Sequence, residues 1–191
     1  MPEAPLSPRH IPNIISLARI LLVLPVIEAI LKHDFGRAIV WFTIAGLSDG
    51  VDGFLARHYG WQSRLGSFLD PVADKLLLGS SFICLAWLGV LPVWLAVLVV
   101  LRDLVIFLGA VGSYFLTEPF DGQPSRISKL NTLSQLVLVF AILLSPGILP
   151  IPTAMVQALL ILVTLTTLVS GVLYVVTWGS RFYRASNSSG D

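Results

Sequence analysis

The chain has 191 residues, of which 55% are hydrophobic and only 12% charged, with a formal net charge of +1. Soluble domains carry about a quarter of their residues as charges, and one core of this size cannot hide so much apolar surface, so the bilayer is the natural solvent. The near-neutral balance, with no basic stripe outside the apolar segments, gives no case for nucleic acid as a partner.

The first ten residues contain Glu3 and a single arginine, Arg9, unlike an Arg-rich, acid-poor transit peptide. The run Ile11–Leu31 is interrupted by Arg19 and Glu28 and is followed by no small-x-small cleavage site, so it reads as a retained first transmembrane helix. After a short polar turn over 32–36, the uncharged stretch 38–48 falls short of the roughly 20 residues that span hydrocarbon. A crossing helix must therefore continue through Asp49 and Asp52 towards Arg57.

A loop over 58–64 leads to a third helix predicted at Gly66–Trp87 and, past the uncharged turn 89–92, to a fourth at Val93–Leu116. Cys84, the lone cysteine, excludes an internal disulfide and reads as a small core hydrophobe. A polar segment over 117–124 precedes a fifth helix at 128–144. The proline-containing turn 145–152 precedes a sixth at 153–178, and a polar tail covers 179–191. The expected fold is an all-α integral membrane protein: six transmembrane helices in one domain over 1–191, with a membrane core over about 11–178 and no repeats. Trp87, Trp94 and Trp178 sit near helix ends as interfacial anchors. His58 reads as a solvated cap, and Glu28 has no functional reading.

Arg9, Arg64, Arg126, Lys129, Arg181 and Arg184 fall on the side shared by both termini, against only Lys32 and Arg37 on the other. The positive-inside rule then predicts cytoplasmic termini and an inner-membrane location. The acidic end of the second helix faces the cytoplasm too, where nucleotide-activated substrates are found.

The chemistry-bearing stretch reads SDGVDGFLARHYGWQSRLGSFLDPVADK from Ser48. Asp49 and Asp52 are three apart and Asp70 and Asp74 four apart, so each pair shares one helix face. The short loop between the two helices allows them to be antiparallel neighbours with converging acids. A charged group at a membrane helix centre costs about 2.5–3.5 kcal/mol, so four unpaired ones would cost roughly 10 kcal/mol. Nearby cations, chiefly Arg57, Lys75 and Arg102, are too few to neutralise them. Carboxylates without histidine or cysteine companions point to Mg²⁺ or Mn²⁺. A pair of such ions bridged by shared aspartates would clamp a diphosphate undergoing displacement. Gly53, Ala56 and Gly66 alternate with the acids. Taken alone they are explained by close helix packing, but their place in the acidic stripe favours a ligand cavity.

The pattern D-x-x-D-G-x-x-A-R-x(8)-G-x-x-x-D-x-x-x-D, complete from Asp49 to Asp74, resembles the signature of the CDP-alcohol phosphatidyltransferases. The run from Ile11 to Arg19 is similar to that family's first-helix opening. The resemblance implies that Asp49, Asp52, Asp70 and Asp74 hold two divalent ions and that Asp74 is also the general base. It implies that Gly53, Ala56, Arg57 and Gly66 contact the cytidine nucleotide of CDP-diacylglycerol. It further implies attack by an acceptor hydroxyl on the β-phosphorus with release of CMP, and a homodimer.

Arg19, Arg102 and Lys129 are the candidates for gripping an acceptor's phosphate in a cavity beside the metals. Arg102 has the alternative of pairing with an aspartate, and Lys129 that of an interfacial snorkelling anchor. Ile106, Phe107, Leu108 and Gly109 follow the Arg102-Asp103 pair without a further cation, which is thin for a small dianion such as glycerol 3-phosphate. The runs 101–104 and 128–132 instead resemble the branch that makes cardiolipin from phosphatidylglycerol, leaving phosphatidylglycerophosphate synthesis as the alternative. A divalent-cation transporter is the rival of another class. Transport needs polar groups spread through the membrane's depth and often comes with inverted repeats. The third, fifth and sixth helices are expected to carry no such groups past their cytoplasmic ends.

Overall fold

In the computed structural model, the described residues are 11–58, 66–116, 126–145 and 149–188. Side chains are described over a narrower set that leaves out 11–14, 49, 52–58, 66–71, 110–116 and 178–188. Among the described residues the chain forms six α-helices and no strand: α1 (Ile11–Leu31), α2 (Phe35–His58), α3 (Gly66–Trp87), α4 (Val93–Leu116), α5 (Arg126–Leu144) and α6 (Thr153–Ser188). Three differ in extent from the sequence expectation. α2 takes in Phe35 and Gly36 of the expected polar turn and His58 of the expected loop. α5 begins at Arg126, two residues early, and α6 runs ten residues past Trp178. Apolarity marks where hydrocarbon ends, not where a helix must stop, and the segment after Trp178 has no proline to break it.

The two turns best defined have local causes. α1 closes with the N–H of Asp34 donating to the Ala29 carbonyl (2.9 Å) and that of His33 to Ile30 (2.9 Å). This is the Schellman pattern, with His33 in the left-handed region at φ 56°. Asp34 then caps α2, its Oδ1 accepting the backbone N–H of Arg37 (3.1 Å). α3 ends the same way, Val90 N–H to Leu85 (2.9 Å) and Gly89 N–H to Ala86 (3.0 Å), with Gly89 at φ 72°. Here glycine supplies the conformation that His33 adopts at some steric cost.

The helices group into two compact units. The first is Met1–Pro92 with Val139–Ile151, in which α1 packs on both α2 and α3, and α2 also touches α3. Its buried stripes are Val23, Val26 and Ile30 on α1, Ala38, Phe42 and Ala45 on α2, and Ala73, Leu77, Phe82 and Leu85 on α3. The alanines let the backbones approach. The second unit is Val93–Leu138 with Pro152–Asp191. Within it α4 packs on α6, and the Tyr174 hydroxyl donates to the Ile106 carbonyl (3.1 Å).

The outward faces are apolar, and polar side chains join the apolar core. α1 buries Ser16 and Arg19 while exposing Leu17, Leu21 and Leu24, and α6 buries Thr166, Thr167 and Ser170 while exposing Ile161, Leu165, Leu168 and Val172. Apolar surface on this scale calls for lipid around it. The helices 126–144 and 153–177 are each long and apolar enough to cross a membrane. Trp87 and Trp94 are exposed, and the side chain of Trp178 lies outside the described residues. Glu28, without a reading from sequence, pairs with Lys32 one turn on, and Arg37 pairs with Asp34 (3.6 Å). Cys84 is buried.

Candidate active site

The motif acids lie on two helices of the first unit. The backbone of α2 carries Asp49, Asp52, Gly53, Ala56 and Arg57 in its last three turns, and that of α3 carries Gly66, Asp70 and Asp74 in its first three. Helical register therefore groups 49, 52, 53 and 56 on one stripe, with 66, 70 and 74 close to another. The stripes sit where α2 ends and α3 begins, on helices that touch. The side chains of Asp49, Asp52, Gly53, Ala56, Arg57, Gly66 and Asp70, and residues 59–65 between the helices, lie outside the described residues. Of the four expected metal ligands, Asp74 alone has a described carboxylate, and among the described residues no group of three or more acidic, histidine or cysteine side chains assembles.

Asp74 is 40% exposed, and its Oδ1 lies 3.4 Å from Nη1 of Arg19. Arg19 is fully buried in the third turn of α1, where an arginine is expensive without partners. It also reaches α2, its Nε donating to Ser48 Oγ at 3.3 Å. The Ser48 hydroxyl in turn donates to the Ala45 carbonyl (2.7 Å), so its oxygen is free to accept from Arg19. Ser48 had no place in the sequence reading; its position immediately before Asp49 was the available signal.

Arg102 and Lys129 belong to the second unit. Arg102 is buried, with Nη1 on Asp103 Oδ1 (2.7 Å) and Nη2 donating to the hydroxyls of Ser128 (2.7 Å) and Ser170. The aspartate pairing weighed from sequence is thus present. Nε of Arg102 is buried without a hydrogen-bond partner. Lys129 is exposed and takes no part in the described bonds around Arg102.

Below Arg102 the interior stays polar. Thr167 donates to Asn131 Oδ1 (2.8 Å), the Thr166 hydroxyl lies 2.9 Å from the same oxygen, and Ser134 lies 3.3 Å from Thr166. Gln135, one turn beyond Asn131, is buried with neither amide atom bonded, and the Asn131 amide nitrogen is likewise unbonded. The expectation that α3, α5 and α6 carry no polar groups past their cytoplasmic ends does not hold: Ser81, Ser134, Gln135, Thr166, Thr167 and Ser170 are all buried. They are neutral, and hydrogen bonds within the protein absorb most of them, which is the usual role of small polar side chains between membrane helices.

The four motif aspartates are all hard oxygen donors, the type that suits Mg²⁺ or Mn²⁺ and not zinc. The comparisons give the family. Residues 9–179 match the CDP-alcohol phosphatidyltransferase family, and the chain belongs to it. That family generally uses divalent metal ions.

The chain is similar to the CMP-forming cardiolipin synthase of Rattus norvegicus, 36% identical over 156 residues, covering 73% of this chain and 52% of the rat protein. It is similar to a probable phosphatidylglycerophosphate synthase of Mycobacterium tuberculosis, 36% identical over 177 residues, covering 87% of this chain and 80% of that protein. A CMP-forming cardiolipin synthase of Streptomyces coelicolor is 33% identical over 145 residues, covering 72% and 66%. The chain spans about half the length of the mammalian relatives it matches.

Proposed function

We propose that this protein is a phosphatidyltransferase that moves the phosphatidyl group of CDP-diacylglycerol onto phosphatidylglycerol, giving cardiolipin and CMP. The observation that carries the reading is the family match over 9–179, which encloses the complete acid and small-residue pattern from Asp49 to Asp74. The similarity to CMP-forming cardiolipin synthases from a mammal and a bacterium supports the acceptor.

In this reading Gly53, Ala56 and Gly66, lacking bulk, let the cytidine diphosphate approach the backbone of both helices, and Arg57 adds a cation for its phosphates. Asp49, Asp52, Asp70 and Asp74 would hold Mg²⁺ or Mn²⁺, which neutralises the diphosphate and stabilises departing CMP. Asp74 accepts the proton of the acceptor hydroxyl as its oxygen bonds to the β-phosphorus and the bond to the CMP oxygen breaks. Most of the acceleration comes from positioning and charge neutralisation. Arg102 and Lys129 are the candidates for the acceptor's phosphate.

The 80% coverage of the mycobacterial protein favours a second reading, with glycerol 3-phosphate as acceptor. Against it, Asp103 already offsets the charge of Arg102, which leaves little positive charge for a dianion. We further propose that all six helices cross the inner membrane, with both termini and the active site on the cytoplasmic side, and that the protein is a homodimer.

The test supplies purified protein with CDP-diacylglycerol, Mn²⁺ and either phosphatidylglycerol or glycerol 3-phosphate, and measures CMP. Release with phosphatidylglycerol alone is expected. Release only with glycerol 3-phosphate selects the second reading, and release with neither removes both. Excess chelator should stop turnover and added Mn²⁺ restore it; turnover persisting in chelator would refute the metal requirement.

A further inference from the structure

We propose that Arg19 is a positioning residue for Asp74: from α1 it holds that carboxylate in its working orientation instead of gripping the acceptor. The inference rests on the reading of Asp74 as the base. Arg19 is fully buried, and its two described contacts go to the two acid-bearing helices, Ser48 on α2 and Asp74 on α3, 29 and 55 positions away in sequence. The bond senses fix the geometry. Ser48 spends its proton on the Ala45 carbonyl (2.7 Å) and so can only accept from Nε of Arg19. A planar guanidinium anchored at Nε has the direction of its Nη1 set within the same plane, and that nitrogen faces Asp74 Oδ1.

The contact, at 3.4 Å, is longer than the 2.7–2.9 Å or so of a tight charge-assisted bond. Ser48 directly precedes Asp49, so one cation ties the near end of one acidic stripe to the far end of the other. An acceptor-phosphate ligand would instead need its N–H groups turned to a cavity open to substrate, and the two described here are committed to the protein.

The experiment measures kcat and KM for the acceptor in wild type, Arg19→Gln, Arg19→Lys, Ser48→Ala and the Arg19→Gln/Ser48→Ala double variant, together with Mn²⁺ affinity of the substrate-free proteins by electron paramagnetic resonance. The acceptor is whichever of phosphatidylglycerol and glycerol 3-phosphate the wild type uses, so failure of the acceptor assignment is read on the wild type and is distinct from failure of this proposal. Arg19→Gln should lower kcat by about 100-fold, the scale of a small misplacement of a catalytic group, with KM within about twofold. Arg19→Lys should recover part of that loss. Ser48→Ala should lower kcat alone in the wild-type background and add nothing to Arg19→Gln, since both act through one contact. Mn²⁺ affinity in Arg19→Gln should hold or rise, because a positive charge beside a carboxylate ligand has gone.

A raised KM with kcat kept would make Arg19 an acceptor ligand. Parallel losses of kcat and Mn²⁺ affinity would make it only a clasp between helices, and unchanged kinetics would leave it no role. Each of these overturns the proposal. Arg19→Lys and Ser48→Ala keep the test decisive should Arg19→Gln fail to fold.

Discussion

On the proposed mechanism Asp74 takes the acceptor's proton, and its carboxylate lies 3.4 Å from the buried Arg19 guanidinium. Asp74→Asn removes the proton acceptor while keeping the size of the side chain, and turnover should fall by about 100-fold or more with CDP-diacylglycerol affinity largely retained. Turnover at the wild-type rate would exclude Asp74 as the base. Gly53→Leu should act in the opposite sense, abolishing nucleotide-lipid binding by filling the space that glycine leaves; intact binding in a filter assay would show that the stripe of small residues serves packing alone. The acids and small residues were legible because their spacing is local and helical. The partner of Arg19 was not, since tertiary folding alone brings residues 19, 48 and 74 together.

The helices α5 and α6 show what a polar side chain is worth between membrane segments. Asn131 receives hydroxyl bonds from α6, whereas Gln135, a turn further on, is buried with both amide atoms unbonded. The two positions should therefore respond oppositely to the same change. Asn131→Leu strands the Thr167 hydroxyl, while Thr166 keeps the Leu162 carbonyl as acceptor (2.8 Å), and should cost about 1–3 kcal/mol, whereas Gln135→Leu removes an unpaid desolvation and should be neutral or stabilising by about 1 kcal/mol. Thermal unfolding in mild detergent reads both, and a loss of stability in Gln135→Leu would mean that its amide has a partner in the membrane. At this scale the sequence predicted the number and order of the helices, because hydropathy and the polar, uncharged or proline-containing turns between the apolar runs punctuate them. It misjudged the end of α6, since hydropathy is blind to a helix that continues into water, and it overlooked the depth of the polar interior, since serine and threonine barely disturb an apolar run.

For the whole molecule the testable quantity is orientation. Lys32 and Arg37 are each paired with an acid next to them, whereas Arg126 and Lys129 open α5 on the expected cytoplasmic side. The one native cysteine, Cys84, is buried, so introduced thiols are readable against a quiet background. In intact cells an impermeant maleimide should label Lys32→Cys and spare Arg126→Cys until the membrane is permeabilised; the reverse pattern would invert the topology and put the aspartates on the wrong side for a cytoplasmic nucleotide. The proposed orientation rests on the lysine and arginine distribution along the chain and not on helix packing.

Exposed leucines around an apolar core that a few buried polar side chains stitch together give the protein a different vulnerability. Urea, which attacks by solvating what water-soluble proteins hide, meets here an outer layer already shielded by acyl chains. An anionic surfactant enters that layer directly, and what it loosens is the apolar packing and the few polar ties between helices, each helix keeping its own backbone ladder.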